Sequence, residues 1–253
     1  MKSHWPLTWG ITYPIFRWLF GIRVHDRKRI PKKKAVLIAA NHMSFADPPL
    51  IGHAVKRECF FLAKEELFAQ SRFFRWLIAY FNAIPIKRGK AFDMHLFKEA
   101  YRLIKKKQAI VLFPEGTRSL KGTFLPFKSG VGMLALRYNI PVVPAYIKNT
   151  HRPWHEWLTR RSRVEVFFAE PIYPECPSKD KEAYEKFTLR IEREVHRLAA
   201  IAHGRTQAEG KVKLKKFDGA YAKAPYKSIN HENQTLSGRG KVDSLVYPGK
   251  SLD

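Results

Sequence analysis

Residues 35–57 read AVLIAANHMSFADPPLIGHAVKR. The apolar run at 35–40 is short and ends at a polar break, which is the pattern of a buried strand. Pro48 suits the first position of a helix, and PPLIGHAVKR supplies the body of one. The stretch is therefore one strand–loop–helix unit. The chain repeats the alternation: strands are expected at 60–62, at AIVLF (109–113), at PVVPAYI (141–147) and at RVEVFFAE (163–170). Helices are expected at 71–80 and 129–138. From Phe92 the apolar positions Leu96, Phe97, Ala100, Tyr101 and Ile104 keep helical spacing, with cations at 105–107 favouring its C-terminus. A long helix follows Ser178 as its cap, with Tyr184, Phe187, Ile191, Val195, Leu198 and Ala202 on one face. Strands alternating with helices give an α/β class: a single domain, residues 35–203, with a largely parallel sheet flanked by helices.

Residues 204–253 have few apolar clusters and many Gly, Lys, Ser and Asn, so this tail is expected to be mostly disordered. Residues 1–34 read differently. WPLTWGITYPIFRWLFGI (5–22) holds three of the six tryptophans, two prolines and Arg17. The prolines and the charge argue against a spanning helix, and no small-residue cleavage site follows. Aromatic residues beside apolar ones favour a membrane interface; packing onto the core is the alternative. RKRIPKKK (27–34) is then a basic linker, in solvent or on lipid headgroups.

The chain has 47 basic and 22 acidic residues, a net charge of +25. Such an excess points to a polyanionic partner: nucleic acid, an anionic membrane or an acidic carrier protein. Cys59 and Cys176 form no CxxC, so neither a disulfide framework nor a zinc motif is expected, and a reducing compartment fits.

In the opening loop, His42 precedes Asp47. A neutral imidazole takes a proton from a hydroxyl near neutral pH, and a carboxylate that fixes its tautomer improves that base. Asp47 before Pro48 is equally a good helix cap, with Asn41 and Ser44 as turn formers. Three further stretches carry anion-binding chemistry. LFPEGTRS (112–119) presents Glu115 and Arg118 on an irregular turn, where an arginine suits phosphate. NAIPIKRG (82–89) delivers Lys87 and Arg88 to a loop, and in LPFKSG (125–130) Lys128 precedes a helix N-terminus. GTFLPFKSG is not a P-loop, because Phe127 stands where the backbone must wrap phosphate.

Together these stretches resemble the glycerolipid acyltransferases, the family that includes bacterial 1-acyl-glycerol-3-phosphate acyltransferases. NHxSxxD is met by Asn41, His42, Ser44 and Asp47; GxIPIxR by residues 82–88, with Asn82 in place of Gly; FPEGTRS by 113–119; and the apolar segment with a central proline by 142–147. The resemblance covers about residues 10–200. Asn tolerates a left-handed backbone, so the turn at 82 is expected to survive.

The resemblance implies an enzyme with His42 as base and Asp47 as its supporting acid. It also implies an acceptor-headgroup site of Arg88, Glu115, Gly116 and Arg118, with Lys128 as an added phosphate contact. The implied reaction moves a fatty acyl group from acyl-CoA or acyl carrier protein to lysophosphatidate, giving phosphatidate, with no metal or redox cofactor. Glycerol-3-phosphate, another lysophospholipid or a lyso-aminolipid is the alternative acceptor. Anionic membrane lipids become expected partners, at the cytoplasmic face. A non-catalytic membrane- or nucleic-acid-binding protein is the competing class. Nucleic acid accounts for the charge alone and leaves the motifs without a cause, so none is expected as a partner.

Overall fold

The computed structural model describes residues 9–10, 13–86, 94–119 and 122–209. The chain divides into one unit at Met1–Ala202 and a second at His203–Asp253, whose described residues, 203–209, are helical. The first unit holds a seven-stranded sheet among the described residues: β1 (Arg23–His25), β2 (Val36–Ala40), β3 (Cys59–Lys64), β4 (Ala83–Ile86), β5 (Ala109–Leu112), β6 (Val142–Lys148) and β7 (Glu165–Phe168). The spatial order is β1-β7-β6-β2-β5-β3-β4. Every pairing is parallel except β6 with β7.

β2 is central, and all five of its residues are buried. Such a strand must be apolar on both sides, because helices cover both faces of a parallel sheet. Leu37 and Ala39 face the core shared with Phe97, Leu134 and Ile191. Val36, Ile38 and Ala40 face Ile51, Ala54 and Val55. The helices are α1 (Asp47–Val55), α2 (Arg72–Tyr80), α3 (Met94–Lys105), α4 (Gly130–Tyr138), α5 (Trp154–Leu158) and α6 (Lys181–Glu209). The cap of α6 is Asp180, not Ser178: Asp180 Oδ2 accepts the Ala183 amide at 2.9 Å. The Ser178 hydroxyl lies too far upstream for that bond and accepts the Asp180 amide instead, at 3.0 Å. α6 runs on through 204–209, and residues 210–253 of the proposed tail lie outside the described residues.

The sheet draws one strand, β1, from the stretch read as an interfacial segment and linker. Three residues are too few to show a hydrophobic period, so β1 was invisible in the pattern. The linker itself is partly structural. Arg27 Nε donates to the Ala54 carbonyl at 2.6 Å, and Arg29 donates to the Phe168 carbonyl at 2.8 Å and pairs with Glu170. Residues 32–34 are exposed.

Part of the aromatic segment packs onto the core and part is exposed. Phe16, Phe20 and Ile22 pack against Leu50, Trp157 and Val164, and Trp9 stacks on His53. Trp18 and Ile15 point outward, 69% and 41% exposed. No described helix is long and apolar enough to cross a membrane.

Candidate active site

The site grows from the C-terminal end of β2, where parallel sheets present their loops to ligands. The Asn41 side chain, almost fully buried, holds that end to β6. Its Oδ1 accepts the Ile147 amide at 2.7 Å and its Nδ2 donates to the Ile147 carbonyl at 2.9 Å. The sequence had offered Asn41 as a turn former; it is instead a clamp between distant strands.

His42 comes next. Its Nδ1 lies 2.8 Å from Asp47 Oδ2, and its ring stacks on Phe113 with centroids 4.2 Å apart. Asp47 is wholly buried. The same Oδ2 accepts the amides of Met43 at 2.6 Å and Ser44 at 2.7 Å. These donors precede Asp47, so the carboxylate turns back into the loop. It does not cap α1: Asp47 is the first helical residue, and Ala46 occupies the cap position without a side-chain bond. Ser44 Oγ accepts the Ala46 amide at 3.2 Å, so this part of the turn reading holds. An ionised carboxylate oxygen only accepts, so the Nδ1 facing it donates, and in the neutral imidazole the basic nitrogen is then Nε2.

The turn at 113–119 grips the His42 backbone from the other side. Glu115 Oε1 accepts the His42 amide at 3.0 Å, and the Ser119 amide donates to the His42 carbonyl at 2.8 Å. Glu115 Oε2 accepts the Leu125 amide at 3.3 Å. Glu115 is only 2% exposed. Burial pushes its carboxyl up to about 8, against the pull of the two amides, with Asp47 and Glu192 adding to the rise. Both oxygens of Glu115 are engaged on backbone, one of them on the His42 amide.

Gly116 has φ +76, a left-handed conformation that favours glycine. The Lys128 side chain crosses it, with Nζ 3.0 Å from where a Cβ would stand. The Lys128 amide donates to the Pro114 carbonyl at 2.9 Å. Arg118 lies on the same turn, its guanidinium carbon 3.5 Å from the centroid of the Phe45 ring. Arg88 lies outside the described residues. Asn82, which stands before β4, has φ 56, so the left-handed turn survives the replacement of Gly. Among the described residues, no group of three or more His, Cys, Asp or Glu converges as a metal site.

The structure thus gathers His42, Asp47, Glu115, Gly116, Arg118 and Lys128 onto interlocked loops. The arrangement holds the His42 ring on Asp47, with Arg118 on the adjoining turn and the Lys128 side chain laid over that turn at Gly116. Asn41, Phe45 and Phe113 were not among the residues expected at the site. The sequence carried Asn41 as the first position of NHxSxxD and as a turn former; an amide directly after a buried strand was the physical sign of its clamping role.

The acyltransferase family signature matches residues 21–148. The chain is 32% identical over 179 residues to a 1-acyl-sn-glycerol-3-phosphate acyltransferase of Saccharomyces cerevisiae, covering 67% of this chain and 58% of that one. It is 31% identical over 168 residues to one of Limnanthes alba, covering 65% and 59%. The crystal structure of a 1-acyl-sn-glycerophosphate acyltransferase from Thermotoga maritima has the same fold, with a TM-score of 0.59 and 29% identity over 79% of this chain and 84% of that one. The chain belongs to the acyltransferase family. It spans less than two thirds of the length of these two curated relatives.

Proposed function

We propose that the chain transfers a fatty acyl group from acyl-CoA or acyl carrier protein to the free hydroxyl of lysophosphatidate, giving phosphatidate. The observation that carries this reading is the His42–Asp47 pair, with Nε2 left as the basic nitrogen. The names of the relatives support the acceptor. His42 Nε2 takes the hydroxyl proton as the oxygen attacks the thioester carbonyl, and Asp47 balances the imidazolium that forms. The tetrahedral intermediate collapses, the C–S bond breaks and the leaving sulfur takes the proton back from His42. The products are an ester and a free thiol, and no electron is transferred. Arg118, Lys128 and Arg88 hold the acceptor phosphate, and Gly116 lets it approach the turn. Glu115 keeps the His42 backbone in place.

A lipid acceptor places the reaction at a membrane. We assign the exposed Ile15 and Trp18 to the interface of an anionic bilayer, at its cytoplasmic face, with the basic surface against the headgroups. The test is acyl transfer by purified protein, with both donors and a panel of acceptors with and without phosphate. Transfer to lysophosphatidate that is abolished in H42A is the expected result. Absence of transfer to every acceptor overturns the assignment. Liposome sedimentation of W18A checks the membrane contact: binding to anionic vesicles is expected to weaken, and unchanged binding removes Trp18 from it.

A further inference from the structure

Phe45 is a large apolar side chain in the His42 loop, yet 56% of it is exposed. Burial does not account for it. Its ring carries the Arg118 guanidinium, whose central carbon lies 3.5 Å from the ring centroid. This contact joins the loop of the proposed base to the turn of the proposed anion contact. The two segments also meet through the His42 backbone, on Glu115 and Ser119.

The choice of an aromatic partner has a chemical consequence. An arginine is a long, rotamer-rich side chain that must be ordered before it can bind anything. A carboxylate would order it but would occupy the N–H edge and cancel the charge. An aromatic face orders it through the ring quadrupole and leaves the in-plane N–H donors open. Among the described residues no carboxylate pairs with Arg118. The guanidinium is therefore anchored by its face, with its donors free for a phosphate.

We propose that Phe45 is a positioning residue, whose ring holds the Arg118 guanidinium ready for the phosphate of the acceptor and so sets the preference for a phosphate-bearing acceptor over an uncharged one. This rests on the assignment of Arg118 to the acceptor phosphate.

The test is an aromatic series: F45A, F45L, F45Y and F45W, assayed with lysophosphatidate and with monoacylglycerol, which lacks the phosphate. F45A and F45L are expected to raise KM for lysophosphatidate about two- to five-fold, the equivalent of about 0.5–1 kcal/mol for an exposed cation–π contact. The loss lies in KM more than in kcat, and monoacylglycerol transfer does not follow it. F45Y and F45W restore KM. A leucine that serves as well as phenylalanine reduces the ring to apolar bulk and overturns the proposal. So does a series that loses kcat alone, which would mean a distorted His42 loop.

Binding of glycerol 3-phosphate, measured by calorimetry, separates this proposal from the catalytic one. F45L is expected to weaken it in the wild-type background and to have no effect in R118Q. If that holds while no acyl group is transferred, the catalytic assignment fails and Phe45 keeps its role. If transfer proceeds and F45L binds the probe as wild type does, the role of Phe45 falls.

Discussion

Asp47→Asn isolates the charge of the supporting acid from every other contact it makes. The asparagine oxygen replaces Oδ2, where it still accepts from His42 Nδ1 and from the amides of Met43 and Ser44. The new NH2 takes the place of Oδ1, which has no hydrogen-bond partner among the described residues, so no bond seen there is lost. What disappears is the negative charge beside the imidazolium. Two unit charges about 4 Å apart interact by about 4 kcal/mol at the effective dielectric of protein sites, about three powers of ten in rate. We expect kcat to fall about 10²–10⁴-fold. Thermal stability should hold or rise, because a buried charge is removed and α1 loses no cap. Steady-state kinetics on the purified variant, with a thermal melt of the same sample, provides both readings. A kcat within ten-fold of wild type would refute the account, since the carboxylate would then serve only the loop.

Glu115, His53 and Gly132 each carry a further expected outcome, Glu115 two of them. E115Q gives the Leu125 or the His42 amide a donor to face, an unmade buried bond of about 1–3 kcal/mol. It should lower kcat about ten-fold or more while the acceptor KM stays within about two-fold; a KM effect alone would return Glu115 to the headgroup. Because burial raises the Glu115 carboxyl from 4.5 to about 8, the folded state holds this proton longer than the unfolded one, and its contribution to stability is full below pH 4.5 and falls as pH rises to 8. The wild-type minus E115Q stability difference should decline across that window, measured by denaturant unfolding. His53 works in the opposite sense. Burial lowers it from 6.5 to about 4, so its contribution is present above pH 6.5 and is lost as pH falls to 4. Its Nδ1 is unpartnered among Trp9, Tyr13 and Phe16, so H53F should remove up to about 3 kcal/mol of acid sensitivity in the same assay. G132A places a Cβ 2.3 Å from the Tyr184 carbonyl oxygen and 2.5 Å from Thr188 Oγ1. It should force α4 from α6 at about 1–3 kcal/mol, a melting point lower by about 2–10 °C; an unchanged melt would mean the helices do not meet there.

The fold was legible where burial is two-sided. β2, β5 and β6 are buried along their whole length, and each announces itself as an apolar run between polar breaks. β1 and α5 were not legible. β1 is three half-buried residues whose place depends on β7, far along the chain. α5 is five residues after Pro153, too short to show a period. The same limit moved the cap of α6 from Ser178 to Asp180. Both residues suit a cap, and only the position of the first helical turn distinguishes them.

The site shows where local sequence stops deciding. An aspartate before a proline is a cap by every local rule, and His42 five residues upstream does not change that. What turns the carboxylate back is the path of the loop, set by partners 73 and 106 residues away. β2 ends paired on both sides, to β6 and to β5. Asn41 extends the β6 side by one more rung, offering through its side chain the acceptor and donor that a backbone would offer. The backbone of the next residue is thereby released from β6 and bonds to the turn after β5, through Glu115 and Ser119. The chain therefore leaves the sheet at His42, the Met43 and Ser44 amides converge on Asp47, and the imidazole joins them there. The asparagine, the buried glutamate and the aspartate are thus three parts of one device that fixes a single histidine, and each owes its role to a contact made outside its own motif.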